Sequence, residues 1–150
     1  MATVIRLRFM TKRPAAADIQ AHLCELAQTI ARDHFSLTLD FTPDSVWHVE
    51  TILSEMHLAY VESESDEGMT GVALEFAAYI VTVIQRDFGP AKWERDCESF
   101  GEDAFPLHWD GGKIYPLAWC MKRIFDGPGD DVWTKFQSLV VNKRVNNVGG

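Results

Sequence analysis

The sequence predicts one α+β domain: about five helices packed with a small mixed or antiparallel sheet that includes a hairpin in the C-terminal half. Three observations predict it. Apolar residues recur at helical spacing in five stretches, shorter alternating stretches lie between and ahead of them, and no Pro/Gly/Ser-rich linker divides residues 1–150. A chain of 150 residues with 47% apolar and 24% charged side chains can bury a proper core and is unlike a disordered segment.

Residues 4–9 alternate, with Ile5, Leu7 and Phe9 inward, and read as a first strand. Residues 14–32 carry Ile19, Leu23, Leu26 and Ile30 at i, i+4, i+7, i+11, one buried helix face. Leu37, Leu39 and Phe41 alternate with polar residues and predict a second strand. Thr42-Pro43-Asp44 supplies a capping hydroxyl, a proline at the first helical position and an acid in the first turn. The helix it opens buries Val46, Val49, Leu53, Met56 and Tyr60 and turns Glu50, Ser54 and His57 to a different face. Residues 62–68 form an acidic loop, and residues 70–88 form the most apolar and central helix, stopped by Gly89-Pro90. Trp93 begins a short strand. Phe105, Leu107 and Trp109 then lead through Asp110-Gly111-Gly112 to a returning Lys113-Ile114-Tyr115, a hairpin. Residues 116–125 make a helix ending at Asp126-Gly127, and Asp130 or Asp131 caps a last one holding Val132, Trp133, Phe136, Leu139 and Val140. The tail from Asn142 is expected to fray.

Charge is unevenly placed. The net value of −8 divides into −2 over residues 1–61, −9 over 62–110 and +3 over 111–150. A nucleic-acid backbone needs a basic footprint, and this chain has none. An acidic field draws a basic partner or simply solubilises a face. Arg6 and Arg8 interrupt the first apolar stretch, so no secretory leader is read, and no apolar run is long enough to span a bilayer. The expected location is the cytoplasm. Cys24, Cys97 and Cys120 are three at wide spacing, which suggests reduced thiols rather than a disulfide framework.

No short catalytic motif is present: no HExxH, GxSxG, Walker loop or GxGxxG. No cofactor is expected, and Cys97, His108 and Cys120 lack the spacing of a metal site. Cys97 lies in a polar segment, but Asp96 and Glu98 beside it should raise its pKa, against activation. Glu75 stands alone in the most apolar helix. It either lies on a narrow exposed stripe, pairs with an arginine, or serves as a general acid or base. Among Trp47, Trp93, Trp109, Trp119 and Trp133, Trp109 sits at the hairpin tip, where a half-exposed ring could anchor a partner; packing accounts for the rest.

Leu39-Asp40-Phe41-Thr42-Pro43-Asp44-Ser45-Val46, Ala78-Tyr79-Ile80, Phe88-Gly89 and Trp93 resemble segments of a family of small bacterial α+β proteins of unknown function. Pro116, Lys122-Arg123, Gly127 and Val132-Trp133 extend the likeness over residues 39–136. Val81 and Thr82 stand where that family's pattern has glycine and glutamate, so a role of that glutamate does not carry over. In type, small acidic α+β proteins of this kind resemble toxin-immunity proteins.

The expectation is therefore a binding protein without catalysis, an immunity protein for a basic bacterial toxin. Its partner face would combine Glu62, Glu64, Asp66 and Glu67 with Glu94, Asp96, Glu98, Glu102, Asp103 and Trp109. The alternatives are a small enzyme or ligand-binding domain around Glu75, Cys97 and His108, and a structural or adaptor subunit.

Overall fold

The computed structural model describes residues 13–143. The first expected strand, residues 4–9, lies outside the described residues. Within them the order is α1 (Ala16–Phe35), a 3₁₀ turn (Pro43–Ser45), α2 (Val46–Ser63), α3 (Met69–Asp87), β1 (Ala91–Trp93), β2 (Leu107–Trp109), β3 (Gly112–Ile114), α4 (Pro116–Phe125), a second 3₁₀ turn (Pro128–Asp130) and α5 (Val132–Phe136), which runs on into a π turn (Gln137–Val141). The fold is α+β, with a small antiparallel sheet in the order β1-β2-β3.

α3 is central because its middle is a nearly continuous apolar run. Phe76, Ala77, Ala78, Tyr79, Ile80, Val81, Val83 and Ile84 are all fully buried, with α1 packed on one side and α4 on another. It ends at Asp87, ahead of Gly89, where a Cβ would lie 2.6 Å from the carbonyl oxygen of Gln85. α1 meets α3 through small side chains: Ala16, Cys24, Ala27 and Ala31 are buried, whereas Ile19, Leu23 and Ile30 are half-buried and Leu26 is exposed. The expected face is thus rotated by about one residue, because short side chains let two helices approach closely and leave the long ones at the seam's margin.

Residues 37–41 do not form the expected strand; no neighbour among the described residues offers them a ladder. They form an irregular connection tied to α1 and α3 instead. Gln28 donates Nε2–H to the Leu39 carbonyl, and the Phe41 N–H donates to the Tyr79 hydroxyl at 2.7 Å. Phe41 adopts φ +65°, a left-handed conformation costing a side-chain-bearing residue about 1–2 kcal/mol, and its ring stacks on Tyr79 at 5.0 Å. Tyr79 in turn meets the Ser45 hydroxyl at 2.6 Å, fastening the entry of α2 to α3. Thr42 does not cap: its hydroxyl donates to Asp40, and Ser45 donates N–H and Oγ–H to the Thr42 carbonyl.

The hairpin forms as expected. Asp110 and Gly111 take φ +51° and +78°, so a two-residue loop of the kind Asp-Gly favours joins β2 to β3, with Trp109 opposite Gly112. α4 spans the expected residues, and Asp131 caps α5 by accepting the Thr134 N–H at 2.7 Å.

The polar face of α2 is not solvated. Glu50, 6% exposed, accepts from Arg123 Nε at 2.9 and 3.0 Å and from the Val132 N–H at 2.9 Å, joining α2 to α4 and α5. Two turns on, His57 Nδ1 lies 2.7 Å from the Ile124 carbonyl oxygen. Gly127 closes this junction at φ +105°, where an added Cβ would sit 3.0 Å from His57 Nε2. Gly127→Ala should therefore lower stability by about 1–3 kcal/mol. Gly129→Ala, with open space around the new Cβ, should stay within about 0.5 kcal/mol. Urea melts of the two variants check the contrast.

Candidate functional site

The structure divides the ten residues expected to form one partner face. Glu62 lies in the last turn of α2, which runs further than expected, and the loop carrying Glu64, Asp66 and Glu67 enters the N-terminal end of α3, while the stretch from Glu94 to Asp103 follows the strand that leaves its C-terminal end. A 19-residue helix, about 28 Å long, separates the two.

Most of the second stretch is neutralised within the protein. Glu94 lies 3.4 Å from Lys92 Nζ and 3.2 Å from His108 Nε2, and the first contact contributes most to holding its carboxyl below the usual range. Asp96 pairs with Arg13 at 2.8 Å and accepts the Asp103 N–H at 2.9 Å, and that backbone bond is the main cause of its lowered pKa. Asp103 receives both Arg13 and Arg95, and Arg95 also donates to the Pro14 carbonyl. These contacts clasp the start of α1 to the loop. Glu98 and Glu102 remain outward, with Glu102 at the 4.0 Å limit from Arg13. Trp109 is not the expected half-exposed anchor. Its strand turns the ring onto the core, 3% exposed, with the indole N–H donated to the Phe88 carbonyl at 2.8 Å.

The first stretch differs. Glu62, Glu64, Asp66 and Glu67 are exposed, and none has a cationic partner among the described residues. The helix leading into them carries an apolar stripe missed in the sequence. Trp47, Leu58 and Val61 are 53%, 58% and 59% exposed. With Thr51 and Ser54 they follow the i, i+4, i+7, i+11, i+14 spacing of one helix face. Exposed Glu55 and Glu62 border it. Trp47 is steadied by the edge of Trp133, ring centroids 5.8 Å apart. α2 thus has two apolar faces, one on the core and one outward. The spacing from Trp47 to Val61 was the available signal.

Glu75, Cys97 and His108 have separate surroundings. Glu75 is half-buried on α3, has no arginine partner among the described residues, and has its pKa raised by burial, offset by the nearby charge of His22. His108 lies between Lys92 and Lys113 across the sheet and faces Glu94. Cys97 sits in a tight turn closed by reciprocal backbone hydrogen bonds with Gly101, its Sγ 3.6 Å from the Tyr115 hydroxyl. Its thiol pKa is lowered, not raised as its acidic neighbours implied. The Tyr115 hydroxyl is the largest cause, followed by the Phe100 N–H, while Asp96 and Asp103 are occupied by arginines. Cys24 and Cys120 are buried among core residues, and burial raises both thiols. Among the described residues no group of three His, Cys, Asp or Glu side chains could hold a metal ion, and no helix is long and apolar enough to cross a membrane.

No family model, curated protein or solved structure matches this chain.

A pH dependence follows from the Cys97 turn. The pH midpoint of iodoacetamide alkylation of Cys97 should lie below that of an unperturbed thiol. Tyr115→Phe removes a donor to the thiolate, so the midpoint should move to higher pH; mass spectrometry of the modified peptide follows it. Cys120 should stay unmodified across the same range.

Proposed function

We propose that this protein is a non-catalytic binding protein that captures a basic protein partner on the outward face of α2, as an immunity protein holds a bacterial toxin. One observation carries the reading: the exposed stripe of Trp47, Leu58 and Val61 runs into a loop of acids with no cation partner among the described residues. Apolar groups of this size, set in a row and rimmed by charge, fit the anatomy of a protein interface. The ring of Trp47 serves as the anchor, since tryptophan buries much area at small entropic cost. Glu62, Glu64, Asp66 and Glu67 supply the long-range attraction that steers a basic partner. The acids of residues 94–103 have a smaller part, because three of the five are bound internally.

A photo-crosslinking residue at position 58 retrieves the partner from the native host, and surface-bound kinetics with purified partner test the assignment. Reversing Glu64, Asp66 and Glu67 to lysine should lower the association rate about tenfold and flatten its salt dependence, with dissociation little changed. Trp47→Ala should instead speed dissociation, by tenfold or more for a loss of about 2 kcal/mol. Unchanged rates in both variants would remove the α2 face from the function.

A further inference from the structure

An apolar groove lies away from α2. It encloses about 490 Å³ and opens between α4, the π turn after α5 and the loop before β2. That volume falls within the range of small-molecule sites, about 300–1,000 Å³. Tyr115, Leu117, Trp119, Met121 and Leu139 give it apolar and aromatic walls. Phe100, 71% exposed, stands at its rim edge-on to Tyr115, with centroids 5.2 Å apart. Leu139 reaches the groove from the π turn Gln137–Val141, a rare irregularity found frequently at functional sites.

Charge selects the kind of molecule. Three charged residues line the groove: Lys122, Lys135 and Asp103. The Asp103 carboxylate is taken by Arg13 and Arg95, and Lys135 lies 3.0 Å from Asp130. Lys122 is exposed and has no carboxylate partner among the described residues. The unmatched charge at this apolar groove is positive, locally opposing the chain's net charge of −8, and so favours an anion with an apolar body.

We propose that this groove binds a small amphipathic carboxylate, its apolar body against Leu117, Trp119 and Leu139 and its carboxylate toward Lys122. The site is separate from the protein-binding face of α2 and does not rest on it.

The full-length protein is titrated with decanoate, decanol and decyltrimethylammonium, each kept below aggregation. Calorimetry gives the stoichiometry, and the Trp119 indole resonance locates the binding. Decanoate should saturate one site well below millimolar concentration, with decanol weaker and the cation not binding. Lys122→Glu should weaken decanoate about tenfold and leave decanol unchanged, as expected for loss of a charge-assisted contact. Ala118→Trp, at a half-exposed lining position, should fill the groove and abolish binding of both. Leu139→Trp replaces that variant should it melt early. Binding that ignores charge, that survives filling of the groove, or that never saturates would overturn the proposal.

Discussion

The ion pair between Glu50 and Arg123 joins three helices of this structure at one buried point. Both side chains are nearly removed from water, at 6% and 5% exposed, and the carboxylate also takes the Val132 N–H. Burying two charges costs several kcal/mol each, returned only when the geometry is good and the remaining polar groups are used; Glu50 meets this, whereas Arg123 Nη1 is buried with no hydrogen-bond partner among the described residues. Here the contact has one solution: α2, α4 and the start of α5 must meet at a single rotation and height. The His57 contact to Ile124 and the close approach of Gly127 both follow from that placement. So does the outward stripe. At about 100° per residue, Trp47, Leu58 and Val61 fall on the flank of α2 beside Glu50, and Trp47 comes to rest on Trp133, next to the residue whose N–H the carboxylate holds.

Internal pairing also decides which acids face outward for a partner. The middle of the chain holds most of its negative charge, yet the part after β1 spends Glu94, Asp96 and Asp103 on neighbouring cations and on closing the start of α1. The loop after α2 has no such duty. An acidic stretch in a sequence therefore has two physical uses, an internal clasp and an external field, and the position of cations such as Arg13 and Arg95 separates them.

Features set by neighbouring residues were legible in the sequence. Asp110-Gly111 needs two left-handed residues, so the hairpin and its turn could be read directly; Pro116, Asp126-Gly127 and Asp131 marked the ends of α4 and the cap of α5. The two acidic stretches were legible as charge. What depended on distant partners was not. Residues 37–41 alternate like a strand, but alternation supplies no neighbour, and Tyr79 and Gln28 took their backbone groups instead. Trp47 and Trp109 exchanged their expected roles, since only the packing of the sheet on α3 and of α2 on α4 determines which ring is covered. Cys97 reversed its expected pKa shift because Asp96 is paired with Arg13 and Glu98 lies exposed, while Tyr115, eighteen positions on, faces the sulfur.

One buried charge pair sets the orientation of α2. A double-mutant cycle of Glu50→Met and Arg123→Met, followed by chemical denaturation, tests it most directly. Each single variant should lose about 3–5 kcal/mol by leaving an uncompensated buried charge, while the double variant should lose far less than the sum. Two small and additive losses, under about 1 kcal/mol each, would contradict the account and show that α2 is held by its apolar contacts alone.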